Sequence, residues 1–262
     1  MDRGGPFDSF TIWEVFLATV AVVLLSIEGG FRLGQYRQRC SEWEDRPPVG
    51  EMVAATLALL AFLLAFTFGL AASRFDVRRV LVIDEANAIG TTYLRAAMLP
   101  EPHRTAVRTL LGEYVDVRLE AVEMGKLDRS IRRSEELHAQ LWTHAVAVGE
   151  KEPRSIVVGL FIGSLNEVID LHTKRLALGV GNRIPGTIWA ALYFVAILGT
   201  SVIGYHSGLA AAGRSLAILA LVLAFSAVMT LIADLDRPQE GLLRVSQQAM
   251  MDLRHSFTAK SP

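Results

Sequence analysis

The 262 residues contain one cysteine, Cys40. A single thiol excludes an internal disulfide and a cysteine-based metal cluster, and it leaves the redox compartment unread. Charge of one sign is also lacking. The 26 Lys and Arg stand against 27 Asp and Glu, a formal charge of −1, which gives no electrostatic case for nucleic acid as a partner. There is no phosphate-binding glycine loop, no nucleophile elbow and no zinc-ligand spacing. Glu135 and His138 make half of a carboxylate di-metal motif, and the second Glu-x-x-His pair that such a site needs is missing. The chain therefore reads as no enzyme, with no catalytic, cofactor or metal residues to name. Internal repeats, low-complexity tracts and a lipidation box are absent as well.

What the sequence has is long apolar runs. Residues 52–73 pass 22 positions without a charge, and 184–205 and 215–233 are likewise uncharged. Residues 10–31 are apolar except for Glu14 and Glu28. At ~1.5 Å rise per residue each run is long enough to cross a hydrocarbon layer of roughly 30 Å. The first run is longer than a signal-peptide core and has no small-x-small site after it, so a retained anchor is expected. The expectation is an all-α, polytopic membrane protein with four transmembrane helices at 10–31, 52–73, 186–205 and 215–233, whose first partner is the lipid bilayer.

Between the second and third spans lie residues 74–185, with 16 basic and 15 acidic side chains. This stretch reads as a helical cytosolic domain. Val82, Ala86, Ile89, Tyr93 and Ala96 step by four, three, four and three, the spacing of one helical face. Nothing stops the second span before Pro100, so it continues as a helix to about 99. That helix would be on the order of 70 Å long, with Gly90 a soft spot costing ~1 kcal/mol against alanine. Further helices are expected from Pro102 to Gly125 (Val107, Leu111, Val115 and Leu119 on one face), over 127–148, and over 154–178 with Val157, Phe161, Leu165, Val168, His172 and Leu176 buried. A C-terminal amphipathic helix and tail fill 238–262, the helix from about 240 to 254.

Basic residues near span ends favour the cytosolic side. With the amino terminus inside, that side holds Arg3, Arg74, Arg78, Arg79, Lys174, Arg175, Arg183, Arg237 and Arg244. The other side holds Arg32, Arg37, Arg39, Arg46 and Arg214. Nine against five puts both termini and the helical domain inside, although the first loop with its four arginines argues the reverse.

Five groups of residues are candidates for function. Ala54, Ala58, Ala61, Ala65, Gly69 and Ala72 form a small-residue stripe along the second span, a seam for close helix packing. The seam fits another span of the same chain, or copies of the chain around an axis. Phe62 and Phe66, one turn apart, are either ordinary apolar contacts or, in an oligomer, the ring of a pore constriction. Asp84, Asn87 and Thr91, with Arg95, form a polar stripe beyond the membrane, a vestibule or a solvated face. Glu113, Asp116, Glu120 and Glu123 form an acidic stripe open to the same two readings. Glu14 and Glu28 are either intramembrane functional acids or groups reaching headgroups and loop arginines.

Several motifs carry a resemblance. Asp84-Glu85-Ala86-Asn87-Ala88-Ile89-Gly90, Leu99-Pro100-Glu101-Pro102-His103-Arg104, Leu165-Asn166-Glu167-Val168-Ile169-Asp170 and Asp234-Leu235-Asp236-Arg237-Pro238 resemble the bacterial bestrophin-like membrane family. The resemblance implies four membrane helices with a helical intracellular domain, set in the bacterial cytoplasmic membrane. It is more distant to the bestrophins, pentameric anion channels whose pore neck is lined by apolar and phenylalanine side chains one turn apart on the second span. Phe62 and Phe66 are similar in kind and place. The acidic calcium clasp of the animal proteins has no recognisable counterpart, Asp234 and Asp236 being the nearest acids after the fourth span. Two functions follow as expectations: a homo-oligomeric channel for small ions, anions by the resemblance, with a pore lined by the second span, or a non-conducting scaffold or sensor whose helical domain binds a partner.

Overall fold

The structure, a computed structural model, describes residues 5–40, 49–122, 126–210, 216–237 and 241–259. Arg3, Arg46, Glu123, Gly125, Arg214, Pro238 and Glu240, which figure in the sequence reading, lie outside them. The described residues are helical, without a strand. In order they form α1 (Ile12–Cys40), α2 (Val49–Ala96), α3 (His103–Glu120), α4 (Leu127–Lys151), α5 (Ile156–Lys174), a π-helical turn (Arg175–Val180), α6 (Gly186–Leu209), α7 (Leu216–Asp236) and α8 (Gln248–Ala259). The chain divides into two compact units, one of Met1–Arg74 with Arg183–Leu243, the other of Phe75–Asn182 with Arg244–Pro262.

Among the described residues five helices, not four, are long and apolar enough to cross a membrane. The addition to the sequence expectation is Ile156–Gly179, whose hydrophobicity serves the core of the second unit. Of its most apolar window 39% is buried, the largest share of the five, while the window in α2 is only 11% buried.

In the first unit α1 and α6 run in parallel and touch backbone to backbone. A side chain at Gly30 would strike the Ser201 carbonyl, and one at Gly204 would strike the Ile27 carbonyl. Small residues at a crossing let backbones approach, which is how helices gain packing in lipid, where apolar side chains alone give no preference for each other. Near the other end Thr19 Oγ1 and Tyr193 Oη lie 2.8 Å apart, and Phe7 meets the Trp189 ring edge-on at 4.8 Å. The helix α1 runs nine residues past Phe31, to Cys40. Glu14 and Thr11 cap its start reciprocally: the Thr11 N–H donates to Glu14 Oε2 at 2.6 Å, the Glu14 N–H to Thr11 Oγ1 at 3.3 Å. Glu28 pairs with Arg32 at 2.9 Å.

The Asp234–Arg237 segment ties down four segments of chain. Asp234 accepts the N–H groups of Leu242 (2.8 Å) and Leu243 (2.9 Å), around Gly241 at φ 128°. Asp236 accepts the Ile184 N–H at 2.9 Å and pairs with Arg183 at 3.1 Å and Arg74 at 3.7 Å. Arg237 donates to the carbonyls of Phe7 (2.7 Å) and Phe10 (2.6 Å). This corrects the sequence expectation of a helix from about 240. With their N–H groups committed to Asp234, Leu242 and Leu243 stay non-helical, and α8 starts at Gln248.

In the second unit α3, α4, α5 and α8 pack with the latter half of α2 around Ile89, Leu99, Leu111, Tyr114, Leu137, Leu141, Phe161 and Leu165. The α2 face Val82, Ala86, Ile89, Tyr93 and Ala96 is buried. Phe257 of α8 stacks on Tyr93 at 3.8 Å, and Arg108 lies over the Tyr93 ring at 4.4 Å. Ser155 caps α5 by accepting the Val158 N–H.

Candidate functional site

Two features of α2 qualify, one in each unit. The first is its uncovered side. Leu60, Thr67 and Ala71 are the buried positions between residues 52 and 73, and Thr56 on the adjoining side faces Gly199 of α6. At 100° per residue the opposite sector carries Ala54, Ala58, Ala61, Ala65, Gly69, Phe62 and Phe66, and all seven are exposed. Phe62 and Phe66 each show 67% of their surface. Nothing lies within 4 Å of where a side chain on Gly69 would begin. Ala72, at the end of the stripe, is half-buried. Within the chain, then, the seam is not closed by another span. In the second unit Asp84, Asn87 and Thr91 are exposed too, spaced so as to continue the same helical face, while Arg95 donates to the Leu160 carbonyl at 2.8 Å.

The second feature is a polar cluster inside the helical unit that the sequence reading did not assemble. Glu85 is fully buried. It accepts the Tyr114 hydroxyl at 2.6 Å, pairs with Arg118 at 3.1 Å and with Arg175. The Tyr114 oxygen lies 3.3 Å from His172 Nδ1, and the His138 and His172 rings meet edge to face at 4.9 Å. One carboxylate thus faces two guanidiniums, and a buried charge needs such partners. Burial raises the Tyr114 hydroxyl well above its ordinary value, and the Glu85 charge adds to this. Burial pushes the His138 imidazole down to about 4, opposed by Glu85 and aided by Arg118. The signal for the cluster was present in the sequence: Glu85 stands between Val82 and Ile89 on the apolar face, and Tyr114 and Arg118 flank Leu111 and Val115 on theirs.

Two acids of the acidic stripe are ion-paired. Glu113 pairs with Arg133, and Asp116 with Arg254 at 2.7 Å. Asp170 accepts from Asn166 at 3.5 Å. Asp234 and Asp236 are held by backbone N–H groups and by Arg183 and Arg74 as described. Among the described residues no group of three His, Cys, Asp or Glu is placed to hold a metal.

Apolar helices of spanning length, joined to a helical unit with a buried ion-pair cluster, define a polytopic membrane protein of the all-α class. A family profile described as the Bestrophin-like domain matches residues 15–250, and the chain belongs to that family. The fold is similar to the crystal structure of a bacterial bestrophin homolog from Klebsiella pneumoniae carrying one substitution, with 14% identity and a TM-score of 0.63 over 94% of this chain and 99% of that one. Two crystal structures of variants of a membrane protein align at 15% identity and TM-score 0.64, covering 96% of this chain and 100% and 99% of theirs. At such identities the likeness is one of fold. No curated protein matches the chain.

Proposed function

We propose that copies of this chain assemble around an axis lined by α2 and pass small ions along it, with Phe62 and Phe66 at the narrowest point. The observation that carries this reading is the uncovered side of α2. Two phenylalanines and an edge of alanine and glycine stand exposed on the helix least covered by its own chain. Small residues suit close contact with a neighbouring copy, and a ring of phenylalanines makes an apolar constriction that gates by dewetting. The similarity to a bestrophin homolog supports the same reading.

In this arrangement α1, the 52–73 part of α2, α6 and α7 are the four spans, in the bacterial cytoplasmic membrane. The helix α5 belongs to the bundle on the cytosolic side, since its His172 and the Arg175 that follows it are spent on the Glu85 cluster. Asp84, Asn87 and Thr91 then line a water-filled vestibule.

Purified protein in liposomes, assayed for chloride and potassium flux, tests the proposal. Phe62→Ala and Phe66→Ala are expected to raise flux by widening the constriction. Chloride flux bears out the anion reading. Potassium flux instead assigns the pore to cations drawn by Asp84. Silence with both ions from a verified oligomer leaves the scaffold or sensor reading, in which the helical unit binds a partner.

A further inference from the structure

A trough opens between α1 and α6 in the first unit, a cavity of about 390 Å³. Leu33, Leu198 and Val202 give it apolar walls, and it reaches down to Gly30 and Ser201, where the two backbones touch. Because the helices are parallel, their last lining residues, Arg37 and Tyr205, stand at the same end. Seven residues separate Gly30 from Arg37 and Leu198 from Tyr205, so the trough runs ~10 Å along the helices. The Arg37 guanidinium donates to Tyr205 Oη at 3.3 Å, and among the described residues it pairs with no carboxylate. Arg39 lies two residues on, at the exposed end of α1.

We propose that this trough binds an anionic phospholipid of the surrounding bilayer, one acyl chain in the apolar slot and the phosphate on Arg37 and Tyr205. The slot is lined mainly by apolar side chains and has volume for part of an alkyl chain. At its polar end Arg37 has no carboxylate partner among the described residues, and the hydroxyl beside it is a second donor. A phosphodiester supplies acceptors for both, and basic pockets between membrane helices are suited to such headgroups. A second copy of the chain would need an acid in register with Arg37. A lipid brings its own charge, and the membrane supplies it at high local concentration.

Native mass spectrometry of the full chain, exchanged into micelles with phosphatidylglycerol or phosphatidylcholine of equal chain length, tests this. Wild-type protein is expected to retain phosphatidylglycerol ~5-fold better, the preference of about one arginine for an anionic headgroup. Arg37→Ala, at an exposed position, should erase that preference. Leu198→Trp, which fills the slot, should reduce retention of both lipids. Undiminished preference in Arg37→Ala overturns the proposal, as does displacement by soluble glycerophosphoglycerol as effective as that by short-chain phosphatidylglycerol. A change in oligomer mass without change in bound lipid also overturns it, assigning the trough to a second copy.

Discussion

The carboxylate of Glu85 decides much of the second unit's polar interior. Fully buried, it is tolerable only because Arg118, Arg175 and Tyr114 converge on it from two other elements. His138 sits on the rim of the same cluster as a neutral imidazole, facing Tyr114 at 4.8 Å and His172 at 4.9 Å, with Glu85 and Arg118 close enough to act on its charge. Its folded value of about 4 lies below the 6.5 of an unfolded chain. Between those two values the unfolded chain takes up a proton that the folded one refuses, so stability falls as pH drops through that window. The full loss, reached below pH ~4, is ~3 kcal/mol. The melting temperature of the detergent-solubilised protein should therefore fall from pH 7 to pH 5. His138→Gln should flatten that fall, leaving the part due to His172. An unchanged slope in His138→Gln would show that the imidazole is protonated in the folded state. This cluster was only half legible. His172 falls on an apolar stripe and reads from the sequence as a core histidine, which is where it lies. Which acid it would meet was not readable, because Glu85 and Tyr114 are 29 residues apart and Tyr114 and His172 are 58 apart, and helical periodicity reports the face of a residue but not its partner across the bundle.

At the scale of elements, periodicity served well and punctuation less well. The face Val82 to Ala96 of α2 is buried as its spacing implies, and so is Phe161 to His172 of α5, while Val157 and Leu176 at the two ends of that face are only half-buried. The sequence reading set four apolar runs apart, whereas α5 meets the same length and composition test as those four. The start of α8 was missed because its cause is tertiary: Asp234 captures two N–H groups eight and nine residues downstream. Glycines repay separate treatment, since the sequence does not distinguish one that packs from one that does not. Gly204 faces the Ile27 carbonyl with no room for a methyl group, whereas Gly29 faces open space. Gly204→Ala should cost ~2–3 kcal/mol by forcing α1 and α6 apart. Gly29→Ala should be neutral or stabilising by up to ~1 kcal/mol, as a better helix former. Thermal unfolding of both variants in one detergent checks the contrast, and equal melting points would mean that the α1–α6 crossing is looser than described.

For the whole molecule the question is what covers α2. A helix with Leu60, Thr67 and Ala71 inside and Phe62, Phe66 and an alanine edge outside has one partner side within its chain and one side without. Lipid would accept the phenylalanines, but an edge of alanines and glycine offers lipid little and offers another helix close approach. The small-residue seam was visible in the sequence at once. Whether it is closed within the chain or between chains was not, because that depends on which side of α2 its own neighbours occupy. Disulfide trapping in native membranes tests the assembly most directly. In a Cys40→Ser background, Ala65→Cys and Phe66→Cys place one thiol each on the exposed side, and Leu60→Cys places one on the covered side. Assembly through α2 predicts that mild oxidant converts the first two to a species of twice the 28.7 kDa chain mass while Leu60→Cys stays monomeric. Monomers from Ala65→Cys and Phe66→Cys alike would contradict it and leave the alanine edge facing lipid.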